Sequence, residues 1–325
     1  YKRQNIIANF GGNCVKKIFL KISAAILLSI SLVGCGAKQS TENKQAEQKA
    51  EAVEGPGKDF DWNAKVAPVG KKRTYTEENS GKSFTADLTK LETAQSKLEE
   101  KRKSITDKKV QEALKVVDAF YVNQQNIDVV VKAGGFNNQK EMYKKLYDDY
   151  SKKLGVPDNE TNFKFQDVNY NMKEYGAMYF KINSNAYGKA GAYDLEDYKV
   201  EGNTVYLSLK VPTVDTYQYV EQTSYKSKYS SFFASLVEIT STSDNKFERM
   251  YAKTIFYLGA VDFRGDGYVD LQGMDYLARA KQYLAIQVDD SGKVTIDNDN
   301  LSNLLRINMA ASNEKNSAKF GAVEK

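Results

Sequence analysis

Pro157 separates two stretches of this chain that have different hydrophobic periods. Before Pro157, apolar residues recur every three or four positions, which is the spacing of an amphipathic helix. After it, apolar and polar residues alternate in several short segments, which is the spacing of a half-buried strand. This order predicts an α+β fold, in which an N-terminal helical bundle is followed by a mixed α/β region with hairpins.

Residues 60–157 are predicted to form a three-helix region. Thr106 or Asp107 is the expected N-cap of the second helix, and the short links favour an antiparallel bundle. Phe60 and Trp62 are predicted to lie on this region as a strap. Asn137 or Asn138 is expected to open the third helix. Apolar spacing and capping residues place the helices at 84–103, 107–135 and 138–155.

Residues 158–309 are predicted to form the α+β region. Phe163 and Phe165 alternate with polar residues and indicate a strand, and the same alternation at 178–182 indicates another. Turn residues at Gly202 and Gly292 predict two hairpins, 200–209 and 283–296.

Helical spacing predicts further helices in this region. The residues from 310 to 325 are small and polar, so they are expected to form a disordered tail. The further helices are predicted at 216–239, 246–258, 274–284 and 301–307.

A leader precedes the folded part. Three lysines are followed by an apolar run, 22–33, which is long enough for a secretory signal and too short to span a bilayer. The run ends in Leu32-Val33-Gly34-Cys35, which resembles the lipobox of bacterial lipoproteins. The resemblance implies that Cys35 receives a diacylglyceryl group, that 15–34 is a cleaved signal peptide, and that acyl chains such as palmitate hold the mature protein on the membrane. Two or more chains give durable anchoring, because each buried CH₂ contributes about 0.8 kcal/mol.

The segments on either side of this leader are expected to have no fold of their own. Residues 36–58 are polar and lack aromatics, so 35–59 is predicted to be a lipidated cysteine with a disordered tether. Residues 1–14 fit no signal-peptide pattern. They are expected to be untranslated upstream sequence, with initiation at a GTG codon where Val15 is written.

Charge and composition exclude several classes of function. The 47 basic and 42 acidic residues include five cations and no acid before Cys35, so the mature chain is neutral and nucleic acid is not an expected partner. The chain has no histidine, which excludes imidazole bases and most zinc sites. The 22 tyrosines fit either a sugar-stacking surface or the codon bias of an AT-rich genome.

The segment from Asp262 to Asp270 resembles the calcium loop of EF-hand and dockerin proteins. Oxygen ligands alternate in it and a glycine occupies the expected turn. Position three is Arg264 and position twelve is Gly273, so the resemblance implies at most weak Ca²⁺ binding. The implied ligands are Asp262, Asp266, Tyr268, Asp270 and Asp275.

The spacing of aromatic and aliphatic residues from Phe120 to Tyr150 resembles the YiiG-like helical lipoproteins, a family without a known function. The leading hypothesis is a non-enzymatic, lipid-anchored protein on the extracytoplasmic face of the bacterial envelope, which binds an envelope protein or a glycan. One alternative is a carboxylate-based hydrolase of glycans or cell wall, with Asp194, Glu196 and Asp197 as candidate acids. Another is the solute-binding lipoprotein of a transporter.

Overall fold

The computed structural model describes residues 60–66, 74–76, 83–85, 89–159, 161–214, 230–262, 274–307 and 311–321. The predicted signal peptide at 15–34, Cys35 and the tether at 35–59 lie outside these segments, as do residues 1–14.

Helices form where apolar residues recur at helical spacing and a polar side chain caps the first turn. Asp107 accepts hydrogen bonds from the amides of Lys109 and Val110, and Asn138 accepts one from the amide of Glu141, which confirms both predicted caps. The described helices are α1 (Thr89–Lys103), α2 (Lys108–Tyr121), α3 (Asp128–Ala133), α4 (Gln139–Lys153), α5 (Met172–Ala190), α6 (Ser230–Thr242), α7 (Lys246–Asp262), α8 (Asn298–Leu304) and α9 (Ala311–Ser317).

The strands pair antiparallel in every described sheet. β1–β2 and β3–β4 are separate hairpins, and the other strands form one sheet in the order β5-β6-β7-β8. The α+β fold class is therefore confirmed, as are the hairpins predicted around Gly202 and Gly292. The strands are β1 (Thr74–Thr76), β2 (Ser83–Thr85), β3 (Asn162–Phe165), β4 (Val168–Asn171), β5 (Asp194–Glu201), β6 (Thr204–Val214), β7 (Met274–Val288) and β8 (Val294–Thr295).

The strand predicted at 178–182 is wrong, because these residues lie in α5. Asn171 caps this helix by accepting from the amide of Lys173. The buried positions Ala177, Ser184 and Tyr187 then follow helical rather than alternating spacing. The local alternation of Met178, Phe180 and Ile182 was too short to tell the two periods apart.

The helix predicted at 274–284 is also wrong, because it is the long strand β7. Leu284, Ile286 and Val288 are fully buried at every second position, and β7 pairs along its length with β6. The helix predicted at 107–135 is divided, since Asn123 caps a 3₁₀ turn at Gln124–Asn126 before α3 begins. The first helix begins at Thr89 rather than at residue 84, which lies in β2.

The prediction of a disordered tail is wrong for residues 311–321, which form α9 and a 3₁₀ turn. The reason is a set of hydrogen bonds to the edge of β7 that β8 leaves unpaired. Asn313 Oδ1 accepts from the amide of Tyr283 at 2.7 Å, and Asn316 Nδ2 donates to the Tyr283 carbonyl at 3.2 Å. Asn300 of α8 accepts from the amide of Ala285 at 2.7 Å. Polar side chains thus take the place of a neighbouring strand.

One hydrophobic core joins the two regions that the sequence divides at Pro157. Val117 and Phe120 of α2 belong to the same buried cluster as Leu207 of β6 and Leu284 of β7. A second cluster lies between the β3–β4 hairpin and helices α6 and α7, and includes Phe163. Most of the described fold is therefore a layer of helices on one face of an antiparallel sheet.

Helix α5 approaches its neighbours closely through two glycines. A Cβ atom at Gly176 would lie 1.9 Å from the ring of Tyr147 on α4, and one at Gly188 would lie 2.4 Å from Gln124. Since glycine has no side chain, the helices α4 and α5 pack closely at this point. This packing sets the distance between the aromatic side chains that both helices carry.

Candidate functional site

The predicted calcium site is not assembled in the described part of the chain. Asp262 ends α7 and Asp275 lies in β7 opposite Thr213, while Asp266, Tyr268 and Asp270 lie outside the described residues. The loop is followed by a strand and not by the second helix that an EF-hand requires. Within the described segments, no group of three or more carboxylate, thiol or imidazole side chains could hold a metal ion.

The candidate catalytic acids lie on β5, where Glu196 is held by two lysines. Its carboxylate is 2.7 Å from Nζ of Lys210 and 3.4 Å from Nζ of Lys281. Burial raises the pKa of Glu196, but the hydrogen bonds and charges of both lysines outweigh it and hold the pKa below its ordinary value. A paired, ionised carboxylate of this kind does not fit the role of a general acid, which needs a raised pKa.

A cleft between α4, α5 and the end of α8 has the composition of a ligand site. Its volume is about 220 Å³, below the roughly 300–1,000 Å³ of pockets for drug-sized ligands. It therefore has room for a small ligand with about one ring. We call it the aromatic cleft, and its described lining consists of Tyr150, Tyr179, Phe180, Asn183, Tyr187, Leu305, Arg306 and Ile307.

The aromatic wall is built from α4 and α5. Tyr179, Asn183 and Tyr187 follow one another at intervals of four residues, so they share one face of α5. Tyr150 of α4 meets Phe180 edge to face, with the ring centroids 5.6 Å apart. Burial raises the pKa of Tyr150 and of Tyr187, so both hydroxyls are protonated near neutral pH.

Arg306 forms the opposite wall in an unusual backbone conformation. Its φ is 57°, which is the left-handed region where glycine is favoured and where another residue costs about 1–2 kcal/mol. The Arg306 amide donates to Asn303 O at 3.1 Å and the next amide, of Ile307, donates to Ser302 O at 3.0 Å. This pair of bonds ends α8 and fixes the direction of the arginine. Tyr121 holds the same turn by donating its hydroxyl proton to the Leu304 carbonyl.

The guanidinium of Arg306 has an unused donor. Its Nε atom is buried and has no hydrogen-bond partner, while the side chain donates a hydrogen bond to the Tyr187 hydroxyl. A buried donor without an acceptor costs about 1–3 kcal/mol. Of the described residues that line the cleft, Arg306 alone carries a charge. The site therefore presents a positive group among aromatic rings, which suits a ligand with both a flat apolar face and an anionic group.

A second buried charge lies away from this cleft and holds the predicted strap. Lys181 of α5 is fully buried, and its Nζ donates to Ala64 O and to Gln139 Oε1, both at 2.6 Å. Burial lowers the pKa of Lys181 to about 8. Trp62 packs on the main core, which confirms the strap for residues 60–66. All polar contacts of Lys181 Nζ are with this strap and with α4, so its role in the described fold is structural.

The aromatic cleft was missed from the sequence because its residues are far apart along the chain. The excess of tyrosine is the available signal, and codon bias also explains it. Arg306 gave no signal at all, since a left-handed conformation at a helix end is expected of Gly or Asn.

Comparisons with protein-family models, curated proteins and solved structures find no match for this chain. None of the described helices has the length and apolar character needed to cross a membrane. The resemblances to the lipobox and to the YiiG-like lipoproteins stay predictions. The site must therefore be interpreted from its own geometry.

Proposed function

We propose that this protein is a lipid-anchored, extracytoplasmic binding protein of the bacterial envelope and that the aromatic cleft holds its ligand, a carbohydrate ring. The observation that carries the proposal is the cleft itself, where aromatic faces lie opposite a half-buried arginine whose Nε has no hydrogen-bond partner. The location is supported by the Leu32-Val33-Gly34-Cys35 sequence.

A sugar fits this cleft for two physical reasons. The C–H face of a pyranose is apolar and packs on the faces of Tyr and Phe rings, which are amphipathic. The hydroxyls at the rim of the sugar need donors and acceptors, and Tyr150, Asn183 and Tyr187 supply them. A volume of about 220 Å³ limits the contact to about one ring.

The geometry favours binding over hydrolysis in the described part of the chain. A glycosidase of the common kind needs two carboxyl groups about 5–10 Å apart on either side of the bond. No Asp or Glu is among the described residues that line the cleft. The acid that the sequence offered, Glu196, forms ion pairs on the sheet instead.

The test is calorimetric titration of the full-length protein, purified in detergent, with a panel of neutral and acidic oligosaccharides. Tyr150→Ala is expected to weaken binding of the sugars that bind by about tenfold, since one aromatic contact is removed. Tyr206→Ala, which removes a half-buried tyrosine from the sheet, is the matched control and is expected to leave affinity unchanged. Equal affinity in all three proteins would show that the sugar binds elsewhere.

A further inference from the structure

We infer that the ligand of the aromatic cleft is a carboxylated sugar of the uronic acid class, bound through its carboxylate by Arg306. The inference rests on the proposed function and names the chemistry of the ligand. It follows from the backbone conformation and the hydrogen bonding of Arg306.

Arg306 carries two energetic costs at the same position. Its backbone is in the left-handed region, at φ 57°, and its Nε is buried without a partner. Each feature is costly in the free protein, and strained or unsatisfied groups are concentrated at functional sites. Because Nε is buried in the free protein, an acceptor from a ligand would remove the second cost only when the Arg306 side chain turns toward the cleft.

The chemistry of the acceptor follows from the guanidinium. Its planar N–H donors match the two oxygens of a carboxylate in a bidentate pair, and such charge-assisted bonds are about twice as strong as neutral ones. The cleft supplies one positive charge in its described lining, which balances one carboxylate. A phosphate monoester would bring a charge of about −1.5 to −2 and would remain partly uncompensated.

The position of the charge relative to the rings restricts the ligand further. Arg306 belongs to the turn after α8, while Tyr150, Tyr179 and Phe180 belong to the opposite helices. A ligand that contacts both walls must therefore have one ring with an apolar face and an anionic group attached to that ring. A hexuronic acid does so, because its carboxylate is bonded directly to the pyranose ring.

The experiment compares galacturonate and glucuronate oligosaccharides with their neutral galactose and glucose counterparts and with galactose 6-phosphate. For the full-length protein in detergent we expect the uronates to bind at least tenfold more tightly than the neutral sugars. Arg306→Gly, which suits the left-handed backbone, is expected to reduce this ratio to about one. Arg306→Lys retains the charge but lacks the planar pair of donors. In this variant the logarithm of the affinity ratio between uronate and neutral sugar is expected to fall to less than half of its wild-type value.

The outcomes separate this inference from the proposed function. Equal affinity for uronates and neutral sugars, or tighter binding of the phosphate ester, would overturn the ligand class and leave a sugar-binding cleft in place. Failure of every sugar to bind would overturn the proposed function as well. If Arg306→Gly still binds uronates more tightly than neutral sugars, a cation other than Arg306 binds the carboxylate.

Discussion

At the scale of single residues, Arg306 combines a strained backbone with the only charge among the described residues that line the aromatic cleft. Its left-handed conformation ends α8 and aims the side chain at the aromatic rings. Both the backbone strain and the unused donor lower the stability of the free protein. We therefore expect substitutions of Arg306 that relieve the strain to raise stability and to weaken ligand binding.

Arg306→Gly is expected to have a free energy of unfolding about 1 kcal/mol higher than that of Arg306→Ala, because both variants lose the bond to Tyr187 and only glycine adopts φ 57° without strain. Urea denaturation measures the change. Gln166→Gly is the control, since Gln166 also has a positive φ, 47°, but lies in the exposed turn between β3 and β4. It is expected to stabilise similarly without affecting the ligand. An Arg306→Gly protein no more stable than Arg306→Ala would contradict the assignment of strain.

Lys181 makes stability depend on pH in a defined direction. Burial lowers its pKa in the folded protein to about 8, whereas the pKa of an unfolded lysine is about 10.4. The charges that act on it are Asp61 and Asp128, which raise its pKa, and Lys65, which lowers it. Between these pH values the unfolded chain binds more protons, so stability rises with pH.

Compared with Lys181→Met, the wild-type protein is expected to gain on the order of 2 kcal/mol in unfolding free energy between pH 8 and pH 10. Subtracting the variant removes the contribution of the buried tyrosines, which titrate in both proteins. The measurement is urea denaturation at several pH values. A difference between the two proteins that is constant, or that falls as pH rises, would show that Lys181 is not destabilised by its burial.

At the scale of elements, the edge of β7 explains why the last helices are ordered. Asn300 Oδ1 accepts from the Ala285 amide at 2.7 Å and from Asn316 Nδ2 at 2.9 Å, so one side chain joins α8, α9 and the sheet. The end of α8 also carries Arg306. The sheet edge and the cleft are therefore connected through a seven-residue helix.

Asn300→Ala is expected to destabilise the fold by about 1–3 kcal/mol, because the partly buried amide of Ala285 loses its acceptor. Thermal or urea denaturation measures it. Asn162→Ala, at an exposed position of β3, removes the same groups from a solvated site and is expected to change stability by less than about 0.5 kcal/mol. Equal effects in the two variants would contradict the role given to Asn300.

The sequence predicted elements well where a cap and a long periodic pattern agreed. Asp107 and Asn138 located two helix starts, and the Gly202 turn located a hairpin with Val205, Leu207 and Leu209 buried. The prediction from the sequence is wrong at 274–284, where pairing with β6 stabilises a strand. Long-range pairing and the convergence of distant side chains in the cleft are not encoded in local spacing, so neither could be predicted.

At the scale of the whole molecule, the proposed function combines a predicted membrane anchor with a ligand site. If Cys35 is acylated, the wild-type protein is expected to incorporate a labelled fatty acid and Cys35→Ser is expected to lose the label, since serine has no thiol to receive the diacylglyceryl group. Metabolic labelling followed by immunoprecipitation measures this change. Equal labelling of the two proteins, or no labelling of the wild type, would contradict a lipid anchor at Cys35.

The central claim is that a sugar carboxylate meets Arg306 within the aromatic cleft. The most direct measurement is NMR titration of the full-length protein in detergent micelles with a galacturonate disaccharide, following the Nε–Hε resonance of Arg306 and the ring resonances of Tyr150 and Tyr179. We predict that these resonances shift together and saturate at one dissociation constant. Saturable binding that leaves the Arg306 resonance unmoved, with the largest shifts elsewhere, would contradict it.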